Sequence, residues 1–263
     1  LLNRARTMGA QGIATGHYVR VEGRDQGIPL LLRGKDRAKD QAYFLWGLPR
    51  ESLPFLHFPL GGFTKEEVRA MARKRGLVTA HKPESQEICF VPTGDYRDLL
   101  RNRLDPVHPA FQSGDVVTIS GEKVGDHQGY AEFTVGQRKG LPGGFPEAMF
   151  VVEIRPETRE VVIGTREDLW ESTVVLHELN WLDTPPRSGD QVEVQLRHRG
   201  RTTEARVDRV NPASVALTLL ENQFAITPGQ SGVLYSGDRV LGGGRIAAPA
   251  SSGGPWESDP VST

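Results

Sequence analysis

One cysteine, Cys89, stands in 263 residues, so no disulfide can form within the chain. That excludes a disulfide scaffold and points to a reducing compartment. The lone thiol and the seven histidines show none of the paired spacings of a zinc site. No apolar run approaches the ~20 residues that a spanning helix needs. Charge of either sign is not in excess: 32 Lys and Arg stand against 33 Asp and Glu. A polyanion therefore feels no global attraction, and any nucleic-acid contact must come from local basic patches. The 30 glycines and 18 prolines are a raised share, but below the ~25% at which low-complexity chains begin. What is left is a chain long enough for one large domain or two to three small ones, with a buried core.

The first residues, Leu1-Leu2-Asn3-Arg4-Ala5-Arg6-Thr7-Met8-Gly9, read as the end of a helix. Leu1, Leu2, Ala5 and Met8 share a face, and Gly9 suits a C-terminal cap. Gly12-Ile13-Ala14-Thr15-Gly16-His17-Tyr18-Val19 then starts as a short apolar strand that ends in small residues. Helix, buried strand and Gly turn is the rhythm of an α/β sheet. Ile28 to Arg33 reads as another strand, and Asp40 to Leu48 as a helix. Thr64-Lys65-Glu66-Glu67 is a capping box opening a helix that stops at Gly76. A further helix spans Tyr96 to Arg103.

From about residue 105 strand-like pieces alternate with Gly turns: 115–119, 131–135, 150–154, 161–163, 191–196, 204–207, 214–219 and 232–235. Many short strands at near-regular spacing predict small β-barrels or a sandwich. Trp170 to Pro186 reads as a join between two β modules. Leu241-Gly242-Gly243-Gly244 lacks phosphate-loop spacing and reads as a turn. Pro249 to Thr263 is Ser/Gly/Pro-rich and reads as a disordered tail. The expected domains are 1–104 (the C-terminal part of an α/β domain), 105–168 (a central β domain) and 169–248 (a β-barrel), with the tail at 249–263.

Two readings stand for Cys89. It is a small buried hydrophobe between Ile88 and Phe90, or a pocket thiol beside the polar run Glu84 to Glu87. Gly16-His17 is either a plain strand-to-loop turn or the edge of a ligand site at the carboxyl end of a strand. Arg33, Lys35, Arg37, Lys39 and Arg50 outnumber Asp36 and Asp40. Arg197, Arg199, Arg201, Arg206 and Arg209, with His198 among them, outnumber Glu204 and Asp208. Each segment suits phosphate contacts or a solvated face. Gly136-Gln137-Arg138-Lys139-Gly140-Leu141 is a basic tip between glycines, a turn or an RNA-touching loop.

Several motifs occur together in a fixed order: Ala14-Thr15-Gly16-His17-Tyr18, Lys39-Asp40-Gln41-Ala42-Tyr43-Phe44-Leu45, Phe58-Pro59-Leu60-Gly61, Ser85-Gln86-Glu87-Ile88-Cys89-Phe90, Phe133-Thr134-Val135-Gly136-Gln137-Arg138-Lys139-Gly140-Leu141, Thr227-Pro228-Gly229-Gln230 and Leu241-Gly242-Gly243-Gly244. In that order and spacing the sequence resembles the bacterial tRNA-specific 2-thiouridylases (MnmA/TrmU type) over roughly residues 1–247. The resemblance implies an α/β remnant of an adenine-nucleotide α-hydrolase-like (PP-loop) domain followed by two small β modules, the last a β-barrel.

It further implies ATP-dependent 2-thiolation of the wobble uridine of tRNA, through an adenylated base and a cysteine persulfide. ATP, with Mg2+, is the implied cofactor. The implied partners are tRNA and a sulfur-donor relay protein or cysteine desulfurase, in the cytoplasm and with no membrane. By the same resemblance Cys89 carries the persulfide and Gly16 belongs to the nucleotide site. His17, Lys39, Asp40, Gln41, Arg197, His198 and Gln230 fall at tRNA-contacting positions; at 198 the family commonly has Tyr. The family's Ser-Gly-Gly-Val-Asp-Ser nucleotide loop and its other catalytic cysteine are not in this sequence, so the expectation is a C-terminal portion of the enzyme. The alternative is a non-catalytic RNA-binding β-barrel protein in which Cys89 is structural.

Overall fold

The computed structural model describes residues 1–23, 27–81 and 96–248. Residues 1–81 carry α1 (Leu2–Thr7), β1 (Ile13–Ala14), β2 (Val19–Glu22), β3 (Leu30–Arg33), α2 (Ala42–Leu45), β4 (Leu56–His57) and α3 (Lys65–Lys74). Next come α4 (Tyr96–Arg103), β5 (Gly114–Thr118), β6 (Lys123–His127), β7 (Phe150–Arg155) and β8 (Glu160–Gly164). The remaining strands are β9 (Trp170–Trp181), β10 (Gln191–Gln195), β11 (Thr203–Val210), β12 (Ser214–Phe224), β13 (Ser231–Ser236) and β14 (Arg239–Ile246). The described residues form two compact units, one from 1–81, 172–221 and 228–247, the other from 96–171 and 222–227.

In the first unit, β1 and β4 pair in parallel, with α1 before them and the Gly16 turn after. This is the α/β remnant that the sequence predicts. The apolar face expected on α1 is not buried: Leu1 and Met8 are exposed, and no residue of the helix reaches a core. α3 opens on the expected capping box. The Glu67 N–H donates to Thr64 Oγ1, and the Glu67 carboxylate accepts from the Thr64 N–H.

Six strands, in the order β13-β10-β11-β12-β9-β14, close into a barrel through pairing of β13 with β14. β11 shows why these residues make strands. Thr203, Ala205 and Val207 are buried while Glu204, Arg206 and Asp208 face water, the period of two of a half-buried strand. Two expectations fail here. Trp170 to Pro186 is no mere join, since β9 runs 12 residues through it as a barrel strand. Leu241 to Gly244 is no turn but the middle of β14.

The hairpin β2-β3 continues the same sheet beyond β14, although only Arg239 and Leu32 are in register there. A shared core holds it in place. Val19, Leu31, Ala42, Tyr43 and Leu53 pack with Leu182, Val233, Tyr235 and Val240 of the barrel. Each fully buried Val or Leu contributes about 1.5–3 kcal/mol, more than one ladder hydrogen bond supplies.

The second unit holds a four-stranded sheet in the order β6-β5-β8-β7, with β5 and β8 parallel. Val116, Val151, Val161 and Ile163 form its core, covered by Phe133, Leu141 and Phe145 among others. The strand expected at 131–135 is absent. The chain makes a 3-10 turn at Tyr130–Glu132 and then turns again, as Gln137 N–H donates to Thr134 O and Gln137 Oε1 accepts from Thr134 N–H. Phe133 meets the core from a loop, so its alternation with polar neighbours imitated a strand. Conversely β6 was unannounced, because Lys123 and Asp126 give it a polar pattern. Lys123 Nζ bridges Asp115 and Asp126, both at 2.8 Å.

Candidate nucleic-acid interface

The loop that leaves β1 places Gly16 and His17 at the carboxyl end of a parallel strand, where open α/β sheets receive nucleotides. Gly16 is exposed, and a Cβ there would meet only Leu60 at ordinary contact distance, 3.7 Å. Its backbone is therefore open to close approach by a ligand. His17 is fixed by a 2.8 Å hydrogen bond between its Nδ1 and Thr15 Oγ1, and its ring meets the edge of Phe58. These residues form an open turn at the end of the strand, with the histidine ring held in place beside it. Among the described residues, no group of three or more His, Cys, Asp or Glu could hold a metal ion. Cys89 lies outside the described residues.

Lys39-Asp40-Gln41 follows β3 and leads into α2. The Asp40 carboxylate accepts from the buried Gly34 N–H (2.8 Å) and from the Ala42 N–H (3.2 Å). Burial raises its pKa above the ordinary aspartate range; those two bonds and then Arg33 and Arg37 oppose the rise. Gln41 pairs with Tyr18 as a strand residue would: its Oε1 accepts from the Tyr18 N–H and its own N–H donates to Tyr18 O. Asp40 and Gln41 thus position the segment. Removing the acceptor in Asp40→Ala leaves two backbone donors unpaired and is expected to cost about 2 kcal/mol. Asp40→Asn, which keeps an oxygen in place, should retain most of the stability. Thermal melting checks this, and equal melting of Asp40→Ala and the parent chain would refute the capping role.

α2 carries two adjacent aromatic rings, 5.6 Å apart and edge-on to each other, one buried and one exposed. Tyr43 is buried, and its hydroxyl donates to Ser231 O at 2.9 Å. Burial raises its pKa, so it stays a donor. Phe44 faces outward, 55% exposed, and its ring lies 4.4 Å from that of His198. His198 sits in the loop between β10 and β11, flanked by exposed Arg197 and Arg199. Desolvation first, then the Arg199 charge, hold its pKa below the ordinary histidine value, so the ring is neutral near pH 7. Gln195 Nε2 and the Gly200 N–H both donate to Arg197 O and shape the loop.

Gln230 is exposed next to Ser231, the anchor of Tyr43. Arg245, opposite Ser231 in the β13–β14 ladder, donates to Ser231 Oγ at 3.1 Å and lies over the Trp46 ring. Gly243 of β14 makes room for that ring: a Cβ there would stand 3.1 Å from Trp46 and 2.6 Å from Gly232 O. Asn180 Nδ2 in turn donates to Trp46 O and Leu48 O. The first unit therefore brings parts of four separate sequence motifs, around Tyr43, His198, Gln230 and Gly243, together about α2.

The two basic segments separate here. Within 33–50, Arg33 stacks on Tyr235 at 3.7 Å, Lys35 pairs with Glu67, and Arg37 pairs with Asp238. Much of that charge is internal. In the second segment Arg197, Arg199 and Arg201 are exposed and pair with no carboxylate among the described residues.

Three family models match the chain in succession: a tRNA methyl transferase HUP domain over residues 1–93, a tRNA methyl transferase PRC-barrel domain over 106–165 and an aminomethyltransferase beta-barrel domain over 171–246. The tRNA-specific 2-thiouridylase MnmA of Acidithiobacillus ferrooxidans is 45% identical over 249 residues, covering 94% of this chain and 69% of its own length. The chain belongs to the tRNA-specific 2-thiouridylase family. The Carboxydothermus hydrogenoformans and Thermus thermophilus members are also 45% identical over 94% of this chain, which spans 67% and 63% of their lengths. A HUP domain followed by two β domains is the expected fold class. Among the described residues of this thiouridylase, no helix is long and apolar enough to cross a membrane.

Sequence reasoning missed Phe44, Trp46 and Arg245 as members of the face. The signal available was an aromatic run, Tyr43-Phe44-Leu45-Trp46, directly after Lys39-Asp40-Gln41.

Proposed function

We propose that the chain acts as a tRNA uridine 2-sulfurtransferase, replacing the C2 oxygen of the wobble uridine by sulfur. The observation that carries the reading is that α2, which directly follows Lys39 to Gln41, meets His198 through Phe44 and Ser231, the residue after Gln230, through Tyr43. A face of exposed arginines and rings suits single-stranded RNA, which is held by phosphate contacts and stacking. In this reading His17, Lys39, Arg197, His198 and Gln230 contact tRNA, while Asp40 and Gln41 hold the contact segment in shape. The division into 1–104, 105–168, 169–248 and a tail is kept as part of the reading.

ATP, with Mg2+, supplies the leaving group on the C2 oxygen. Gly16 gives the nucleotide an unobstructed backbone at the end of β1. Cys89 carries the sulfur, because only a soft nucleophile held as a thiolate or persulfide displaces an activated oxygen at C2. The target base must leave the anticodon stack to be reached. A sulfur-donor relay protein or cysteine desulfurase loads the thiol, in the cytoplasm.

The test is disruption of the chromosomal gene, followed by mass spectrometry of digested tRNA. Loss of 2-thiouridine, restored by the intact gene, is the expected result. An unchanged 2-thiouridine level would refute the function and leave the RNA-binding alternative.

A further inference from the structure

We propose that Phe44 and His198 together form a platform on which an unpaired base of the tRNA stacks. The inference rests on the reading of this face as tRNA-binding and adds a residue, Phe44, and a mode of contact. A single exposed apolar side chain needs no explanation. Phe44 is not single. It is 55% exposed, it lies 4.4 Å from a second exposed ring, and the two planes are inclined at 48°. Tyr43 lies beneath, 6.2 Å from His198, with its hydroxyl held by Ser231. The platform thus rests on a buried, anchored residue.

The chemistry around it selects the ligand. Arg197 and Arg199 flank the imidazole in sequence and carry charge toward solvent without a carboxylate partner among the described residues. The imidazole itself is the uncharged form near neutrality, so it offers a π-face and leaves the phosphates to the arginines. An apolar peptide would leave those arginines unused. A paired duplex keeps its base faces hidden and could use only the charge. An unpaired nucleotide uses both, its base on the rings and its phosphate on the guanidinium groups.

Binding of unmodified tRNA to the full chain, measured by fluorescence anisotropy across a salt series, tests this. Phe44→Leu should weaken binding about tenfold, with an unchanged slope of log affinity against log salt and an unchanged melting temperature. Phe44→Trp should bind within about twofold of the parent chain. His198→Ala, on an exposed loop, should match Phe44→Leu, and the double variant should lose little more than either alone. A fully paired RNA of similar length should not distinguish Phe44→Leu from the parent. If the parent binds tRNA and both single variants bind equally well, the platform is overturned while the tRNA reading stands. If the parent shows no salt-dependent tRNA binding, the tRNA reading falls and the platform with it.

Discussion

Gly61→Ala should destabilise the first unit by about 3 kcal/mol or more, whereas Gly62→Ala next to it should be nearly neutral. A Cβ at position 61 would lie 1.7 Å from the carbonyl oxygen of Val19 and 2.4 Å from its carbon. Those are backbone atoms, so no rotamer change relieves the clash. Around position 62 nothing lies within 4 Å of the added carbon. The backbone at Gly61 is held on both sides, its N–H donating to Phe58 O and its carbonyl accepting from the Lys35 N–H. Just upstream, a Cβ on Gly34 would stand 2.4 Å from Tyr18 O. Tyr18 and Val19 are thus pressed between two glycine backbones and locked by Gln41.

Pushing Val19 away moves the start of β2 and empties part of the core shared with the barrel. For a unit of this size the loss corresponds to a drop of roughly 6–12 °C in melting temperature. Calorimetry of the two glycine variants beside the parent decides it; equal melting would mean that Phe58-Pro59-Leu60-Gly61 is not a packing motif. Because His17 precedes the displaced strand and Gln41 bonds to it, tRNA binding should weaken in Gly61→Ala as well.

Cys89→Ser, introduced in the chromosomal gene, should lower 2-thiouridine more than about 100-fold while tRNA affinity stays within about twofold. Serine is close to cysteine in size, but its hydroxyl cannot carry a sulfane sulfur. In the proposed transfer, the terminal sulfur of the persulfide bonds to C2 and the activated oxygen departs with AMP. The sulfur–sulfur bond is then cleaved by a second thiol, which takes the place on the Cys89 sulfur and leaves the transferred atom on the base. Cys89 is the sole thiol of this chain, so no neighbour within it can take over. The measurement is the ratio of 2-thiouridine to uridine in digested tRNA, together with anisotropy of the purified variant. Normal thiolation in Cys89→Ser would remove the persulfide from the mechanism and return the thiol to a packing role. Loss of both thiolation and binding would assign the residue to folding instead.

Much was legible in the sequence because it is encoded locally. The Thr64–Glu67 capping box needs only four neighbouring residues. β11 announces its buried face by alternation over Thr203 to Asp208. The ordered motifs pointed to the family and with it to two β modules, and strand spacing pointed to small barrels or a sandwich. Where local pattern and tertiary role diverged, the sequence misled. Phe133 alternates with polar neighbours yet reaches its core from a loop, and β6 hides its strand behind Lys123 and Asp126.

Proximity across long stretches of chain was decided only in three dimensions. No periodicity tells that Phe44 meets His198, that Arg245 lies over Trp46, or that the hairpin β2-β3 extends a barrel whose own strands begin at Trp170. Nor could three successive glycines be read as a strand until Trp46, Trp181 and the neighbouring strands were seen to fill the space that their side chains would need. The physical reason is common to all of these. Pattern and capping act through hydrogen bonds and burial within a few residues, whereas a closed barrel and its shared core are fixed by the cost of leaving apolar surface exposed, which the chain settles as a whole.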